Sequence, residues 1–190
     1  MKKHEEMPLV EGYEPQKKTI SMLSANLLAV ALFVVVGALL GIPYHSLYGA
    51  TEMASWNTIF PWFLLLLVVG IVVHELIHGI TWLLFTHKGF SHLSFGFLPG
   101  GVYCHIDVPM PKGQYVIGAL MPLLLIGIVP TLVSFCIGSL LWLLLGIVFI
   151  VSAAGDIMIV WAIRKEPADA LVYDHPSEAG CYIYHKTEQS

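Results

Sequence analysis

Residues 60–86 read FPWFLLLLVVGIVVHELIHGITWLLFT. At 1.5 Å per residue a helix of this length crosses a hydrocarbon core about 30 Å thick. Pro61 falls in its first turn, where a missing N–H does little harm. The only ionisable side chains in the run are His74, Glu75 and His78. Charged groups buried in a bilayer cost about 2.5 kcal/mol or more each on insertion scales, so their presence there points to a site.

The rest of the chain follows from this run. Of the 190 residues, 57% are apolar and 12% charged, and the mean hydropathy is +0.78. An ordinary soluble domain holds about 25% charged residues. No Lys or Arg lies between Lys18 and Lys88, nor between Lys112 and Arg164. Those two gaps hold nearly all the apolar residues. The first contains a span at about 21–42 and the run at 60–86, separated by a polar loop at 43–59 with Pro43, His45, Glu52 and Asn57. The second, 115–163, is too long for one helix. It predicts two spans turning near Ile137-Gly138-Ser139, the first of them kinked by Pro122 and Pro130. The expected fold is an all-α polytopic membrane protein of about four transmembrane helices, with a small β-hairpin on the cytoplasmic side. It divides into an N-terminal segment (1–20), a four-span membrane domain (21–163) and a tail (164–190).

Basic residues orient the spans. Lys2, Lys3, Lys17 and Lys18 precede the first, Lys88 and Lys112 follow the second, and Arg164-Lys165 follow the fourth. All fall on one side, which the positive-inside rule makes cytoplasmic, with both termini inside a multi-pass cell-membrane protein. No cleavable signal peptide is expected, because the polar residues before the first span are too many and too acidic. A net charge of −4 with no basic stripe argues against nucleic acid as a partner and leaves the lipid bilayer. Three cysteines, Cys104, Cys136 and Cys181, form no disulfide framework.

Between the second and third spans, Leu93, Phe95 and Phe97 alternate with polar or small residues. After a Pro-Gly-Gly turn, Val102, Cys104, Ile106 and Val108 do the same. This period of two predicts a hairpin over 90–108.

His74-Glu75-Leu76-Ile77-His78 is an H-E-x-x-H pattern. On a helix, positions i and i+4 share a face one turn apart, so both imidazoles reach one Zn2+. Glu75 lies about 100° around the axis, placed to take a proton from a water beside the metal. A catalytic zinc needs a third protein ligand. Asp156 is the only acidic residue between Asp107 and Glu166. It lies eight residues before Arg164, as His78 lies eight before Thr86, so both sit about 12 Å from the same edge. Ser152-Ala153-Ala154-Gly155 would let helices approach closely there. His105, beside Asp107 on the hairpin's polar face, is next in line as a ligand. Tyr103 and Tyr115 are candidates to assist an oxyanion, and Asp174-His175-Pro176 reads as a turn in the tail, with a cytoplasmic site element as the alternative.

The motif in a membrane helix, the Gly-rich hairpin, the Ser152–Asp156 segment and the Asp174-His175-Pro176 tail together resemble a family of bacterial membrane proteins described as zincin peptidases, a domain of unknown function. The likeness covers about 60–190. More distantly the chain is similar to the site-2 intramembrane zinc metalloproteases. That resemblance implies a zinc site within the bilayer, open to the cytoplasm, that cleaves membrane proteins or peptides. It matches His74 and His78 to the zinc ligands, Glu75 to the catalytic glutamate and Asp156 to the distal ligand. Two features depart from site-2 proteases: the order is Gly155-Asp156 where they carry Asp-Gly, and no Asn lies between residues 58 and 190. The expected function is an intramembrane zinc metalloprotease; the alternative is a non-catalytic metal-binding membrane protein, a sensor or carrier.

Overall fold

The computed structural model describes residues 8–49, 56–98, 101–176 and 178–187. The chain is mostly helical, with four helical segments long and apolar enough to span a membrane: Met22–Tyr48, Trp56–Thr86, Lys112–Ile137 and Leu140–Ile163. The first two are single helices, α1 (Met22–Tyr48) and α2 (Trp56–Thr86). The outward face of α1 is bare, with Leu23, Leu27, Val34 and Leu39 all exposed, while its inner face packs on the fourth segment.

The loop expected at 43–59 is shorter than its composition suggests. α1 continues through Pro43 to Tyr48. One proline removes one helical hydrogen bond, and here packing outweighs that loss. Tyr44 is buried edge-on against Phe135, with ring centroids 5.6 Å apart, and Tyr48 donates to the Phe135 carbonyl. Glu52, part of that expected loop, lies outside the described residues.

The third segment carries the expected irregularity. It runs as α3 (Lys112–Pro122), a π-helical stretch (Leu123–Ile128) and α4 (Val129–Ile137). Wide turns of this kind arise where the helical ladder is interrupted, and Pro122 and Pro130 bracket this one. α4 ends where the sequence places the turn: Gly138 is left-handed (φ 68, ψ 32), a conformation open to glycine. Its N–H and that of Ser139 both donate to the Ser134 carbonyl, at 2.9 and 3.2 Å.

The fourth segment is not one helix. α5 (Leu140–Ser152) stops and α6 (Ala154–Ile163) begins at Ala153. Ala153 and Ala154 are both buried, so the small residues do permit close packing, and they also mark a break. It places Asp156 in the first turn of a new helix.

The all-α expectation is corrected by a second sheet, built from both ends of the chain and a short strand before the third span. β1 (Tyr13–Thr19), β4 (Met110–Pro111), β5 (Leu171–Asp174) and β6 (Gly180–Lys186) form an antiparallel sheet in the order β1-β6-β5-β4. β1 pairs along its whole length with β6, from Tyr13 opposite Lys186 to Thr19 opposite Gly180. The strand YEPQKKT has no apolar alternation to announce it; its partner supplies the ladder. What secures the sheet is Val172, Cys181 and Ile183, which join Ile106, Met110 and Ile163 in one core. Each such side chain, fully buried, is worth about 1.5–3 kcal/mol. The predicted hairpin is present as β2 (Leu93–Leu98) and β3 (Gly101–Ile106), paired Leu93 to Ile106 through Leu98 to Gly101. β3 lies against α2 and β5, whereas β2 exposes Phe95 and Phe97.

Candidate metal centre

α2 presents His74 and His78 one turn apart on its inner face, with ring centroids 4.9 Å apart and planes at 72°. α6 delivers Asp156 between them. Its Oδ2 lies 3.4 Å from His74 Nε2 and its Oδ1 3.5 Å from His78 Nε2. One ligand atom from each of the three residues falls within 4.8 Å of the others. Both histidines are buried. Among the described residues no other trio of His, Cys, Asp or Glu comes together in this way.

The donor set fits zinc. Two imidazole nitrogens and a carboxylate oxygen are borderline ligands of the kind zinc takes, with one position left for water. Bonds near 2.1 Å in a tetrahedron separate neighbouring ligand atoms by about 3.4 Å, close to the two separations found. The outer partner of His78 is also in place: its Nδ1 donates to the Gly118 carbonyl at 2.9 Å, which leaves Nε2 facing Asp156. That carbonyl is available because Pro122, four residues on, has no N–H to give it. His74 Nδ1, in contrast, is buried without a hydrogen-bond partner.

Glu75 projects between two cavities. One, of about 480 Å³, is apolar and lies between α1, α2 and the α5–α6 break, with Asn26, His74, Phe149 and Asp156 on its walls. The other, of about 90 Å³, is the more polar of the two and lies beneath the β5–β6 turn, with His78, Tyr103, Asp174 and His175. Glu75 and Asp156 line both. Cys104, on β3, lines the smaller cavity together with Glu75.

The profile of a family described as "Putative zincin peptidase" matches residues 67–171, more than half of the chain. The chain belongs to this family. His74, Glu75, His78 and Asp156 all lie within the matched stretch. A protein of Pyrococcus woesei, described as "Uncharacterized 24.7 kDa protein in gap 5'region", is 28% identical over 156 residues. The alignment takes in 80% of this chain and 66% of that protein, so the chain spans just under two thirds of its relative's length. No solved structure matches the chain.

In this family member the remaining candidates fall into place around the trio. His105 is not part of it. It is 1% exposed on β3, with Nδ1 3.3 Å from Asp174 Oδ2 and its ring edge-on to Tyr173. The face of the hairpin read as polar is therefore the face buried under the tail, because β5 covers it. His92 instead meets Asp107, at 2.6 Å. Of the two tyrosines, Tyr115 has committed its proton to Asp174 Oδ1 at 3.0 Å, whereas Tyr103 reaches the Pro176 carbonyl only at 3.4 Å. Burial pushes the Cys104 thiol well above its usual range and the Cys181 thiol up to about 12, so neither offers a thiolate as nucleophile or ligand. Burial also lowers the pKa of His175, whose Nδ1 accepts from the Glu178 N–H at 2.9 Å.

The contribution of the tail was not legible. Asp174, His175 and Glu178 line the polar cavity, where the sequence offers a Pro-containing turn. The signal that would find them is two-fold alternation in 180–186, where Cys181 and Ile183 point inward, but it is short, and of its two partner strands only β5 is near in sequence, β1 lying more than 160 positions away.

Proposed function

We propose that the chain is an intramembrane zinc peptidase that hydrolyses peptide bonds of membrane-associated substrates. The observation that carries the reading is the meeting of His74, His78 and Asp156 beside Glu75, in helices apolar enough to cross a membrane. His74, His78 and Asp156 would hold the ion, which when bound supplies a polarising charge for a scissile carbonyl and acidifies a water.

The chain's own residues do the rest. Glu75 accepts the proton of the attacking water and returns it to the leaving amine. Gly118 keeps the ring of His78 in one tautomer while this happens. Tyr103 is the donor free to turn toward a developing oxyanion. The apolar cavity suits a segment of a membrane substrate. The polar one has room for about three waters at ~30 Å³ each. With the basic residues of the chain cytoplasmic, that water side faces the cytoplasm.

The test is Glu75→Gln, which keeps shape and removes the proton acceptor. Cleavage of single-span fluorogenic reporters in liposomes should fall by about 10²–10⁴-fold, with zinc content unchanged. Wild-type cleavage by this variant would remove Glu75 from the mechanism. A wild-type protein that binds zinc and cleaves none of the reporters would favour a sensor or carrier.

A further inference from the structure

A continuous line of contacts runs from one proposed zinc ligand to the tail. The His78 ring stacks on Trp82, with centroids 5.4 Å apart and planes at 17°. Trp82 is four residues on, so the two share a helix face. Trp82 stacks in turn on Tyr115, 5.3 Å away at 13°, and its indole N–H donates to the Tyr115 carbonyl at 3.1 Å. The stack exists because residue 118 is glycine: a Cβ there would sit 2.1 Å from the indole nitrogen. At the far end the Tyr115 hydroxyl donates to Asp174 Oδ1 at 3.0 Å, and Asp174 Oδ2 faces His105 at 3.3 Å.

We propose that Asp174 is a positioning residue for the metal centre, holding Tyr115 and through it the aromatic stack that fixes the ring of His78. This rests on the reading that His74, His78 and Asp156 bind zinc. Asp174 is 8% exposed and lines the same cavity as Glu75 and Asp156. Taking a carboxylate out of water is costly, and apolar side chains close a packing joint at less cost. Its position suits fixing a geometry: from β5 it reaches Tyr115 of α3 and His105 of β3 at once. The tail is then part of the site, although it supplies no ligand. His78 is held at one ring edge by Gly118 at Nδ1 and across its face by the stack.

The test uses the full-length chain in detergent. Zinc affinity is read by competition with a chromophoric chelator, and the d–d spectrum of the cobalt(II)-loaded protein reads ligand geometry. Tyr115→Phe keeps the stack and loses only the tether. It should bind zinc about tenfold more weakly and shift the cobalt spectrum, with little change in melting temperature; outer partners of metal-bound histidines are worth about 10–100-fold. Asp174→Ala should lose as much or more. Asp174→Asn still accepts from Tyr115 and should restore affinity to near wild type. The proposal is overturned if Tyr115→Phe binds zinc as wild type does with an unchanged spectrum, or if Asp174→Asn is as weak as Asp174→Ala. If Asp174→Ala does not fold, the Tyr115→Phe and Asp174→Asn pair decides alone. A wild-type chain that binds no zinc refutes the underlying reading, a result separate from either of these.

Discussion

The Nδ1 of His78 donates to the carbonyl of Gly118 at 2.9 Å, across the gap between α2 and α3. In an uninterrupted helix that carbonyl would receive the N–H of residue 122. Residue 122 is proline, so the acceptor passes to the histidine. A feature that reads in sequence as a kink thus sets the tautomer of a candidate ligand in another helix.

Pro122→Ala would return an N–H to compete for Gly118. Zinc affinity should drop by about tenfold, toward the lower end of what outer partners are worth. The third span should keep its helical content, since alanine suits a helix better than proline. Chelator competition checks the first and circular dichroism the second. Undiminished zinc affinity would show that His78 does not depend on this carbonyl.

How much was legible follows the range of each interaction. His74, Glu75 and His78 are local on one helix, so their spacing was enough. Asp156 stood out because a lone carboxylate in an apolar segment is expensive. The turn at Gly138 was readable from its glycine and its length constraint. The break at Ala153 was not, because Ser152-Ala153-Ala154 reads equally as a packing stripe. The tail sheet was invisible for a different reason: β1 is polar and pairs with a strand more than 160 positions away, so no local pattern marks it. Tyr115 and Asp174 stood out as residues, but the contact between them depends on that sheet and was hidden with it.

His175 makes the tail sensitive to acid. Its ring stacks on Tyr182, with centroids 5.0 Å apart, and its pKa is held below 6.5 mainly by burial, which outweighs the nearby Glu178. In this range the unfolded chain binds the proton more readily than the folded one, so the contribution is full above about pH 6.5 and is lost as pH falls toward the folded value. Between about pH 7.5 and about pH 5.5 the melting temperature of wild type should drop more than that of His175→Gln, which still offers an acceptor but does not titrate. Equal drops would show that His175 does not sense pH through the fold.

The orientation proposed from the basic residues is open to a direct check. Reporters fused after residues 50, 100 and 190 should read outside, inside and inside. A cytoplasmic signal at residue 50 would invert the topology and put the polar cavity on the wrong side for water from the cytoplasm.

The most direct measurement is zinc per chain in the purified wild-type protein and in Asp156→Ala, by elemental analysis after removal of adventitious metal. Wild type should hold one zinc per chain. Asp156→Ala, left with two histidines, should hold little, because two protein ligands retain zinc poorly. A wild-type chain without zinc, or an Asp156→Ala chain that keeps its full complement, would contradict the assignment of this trio as the metal centre.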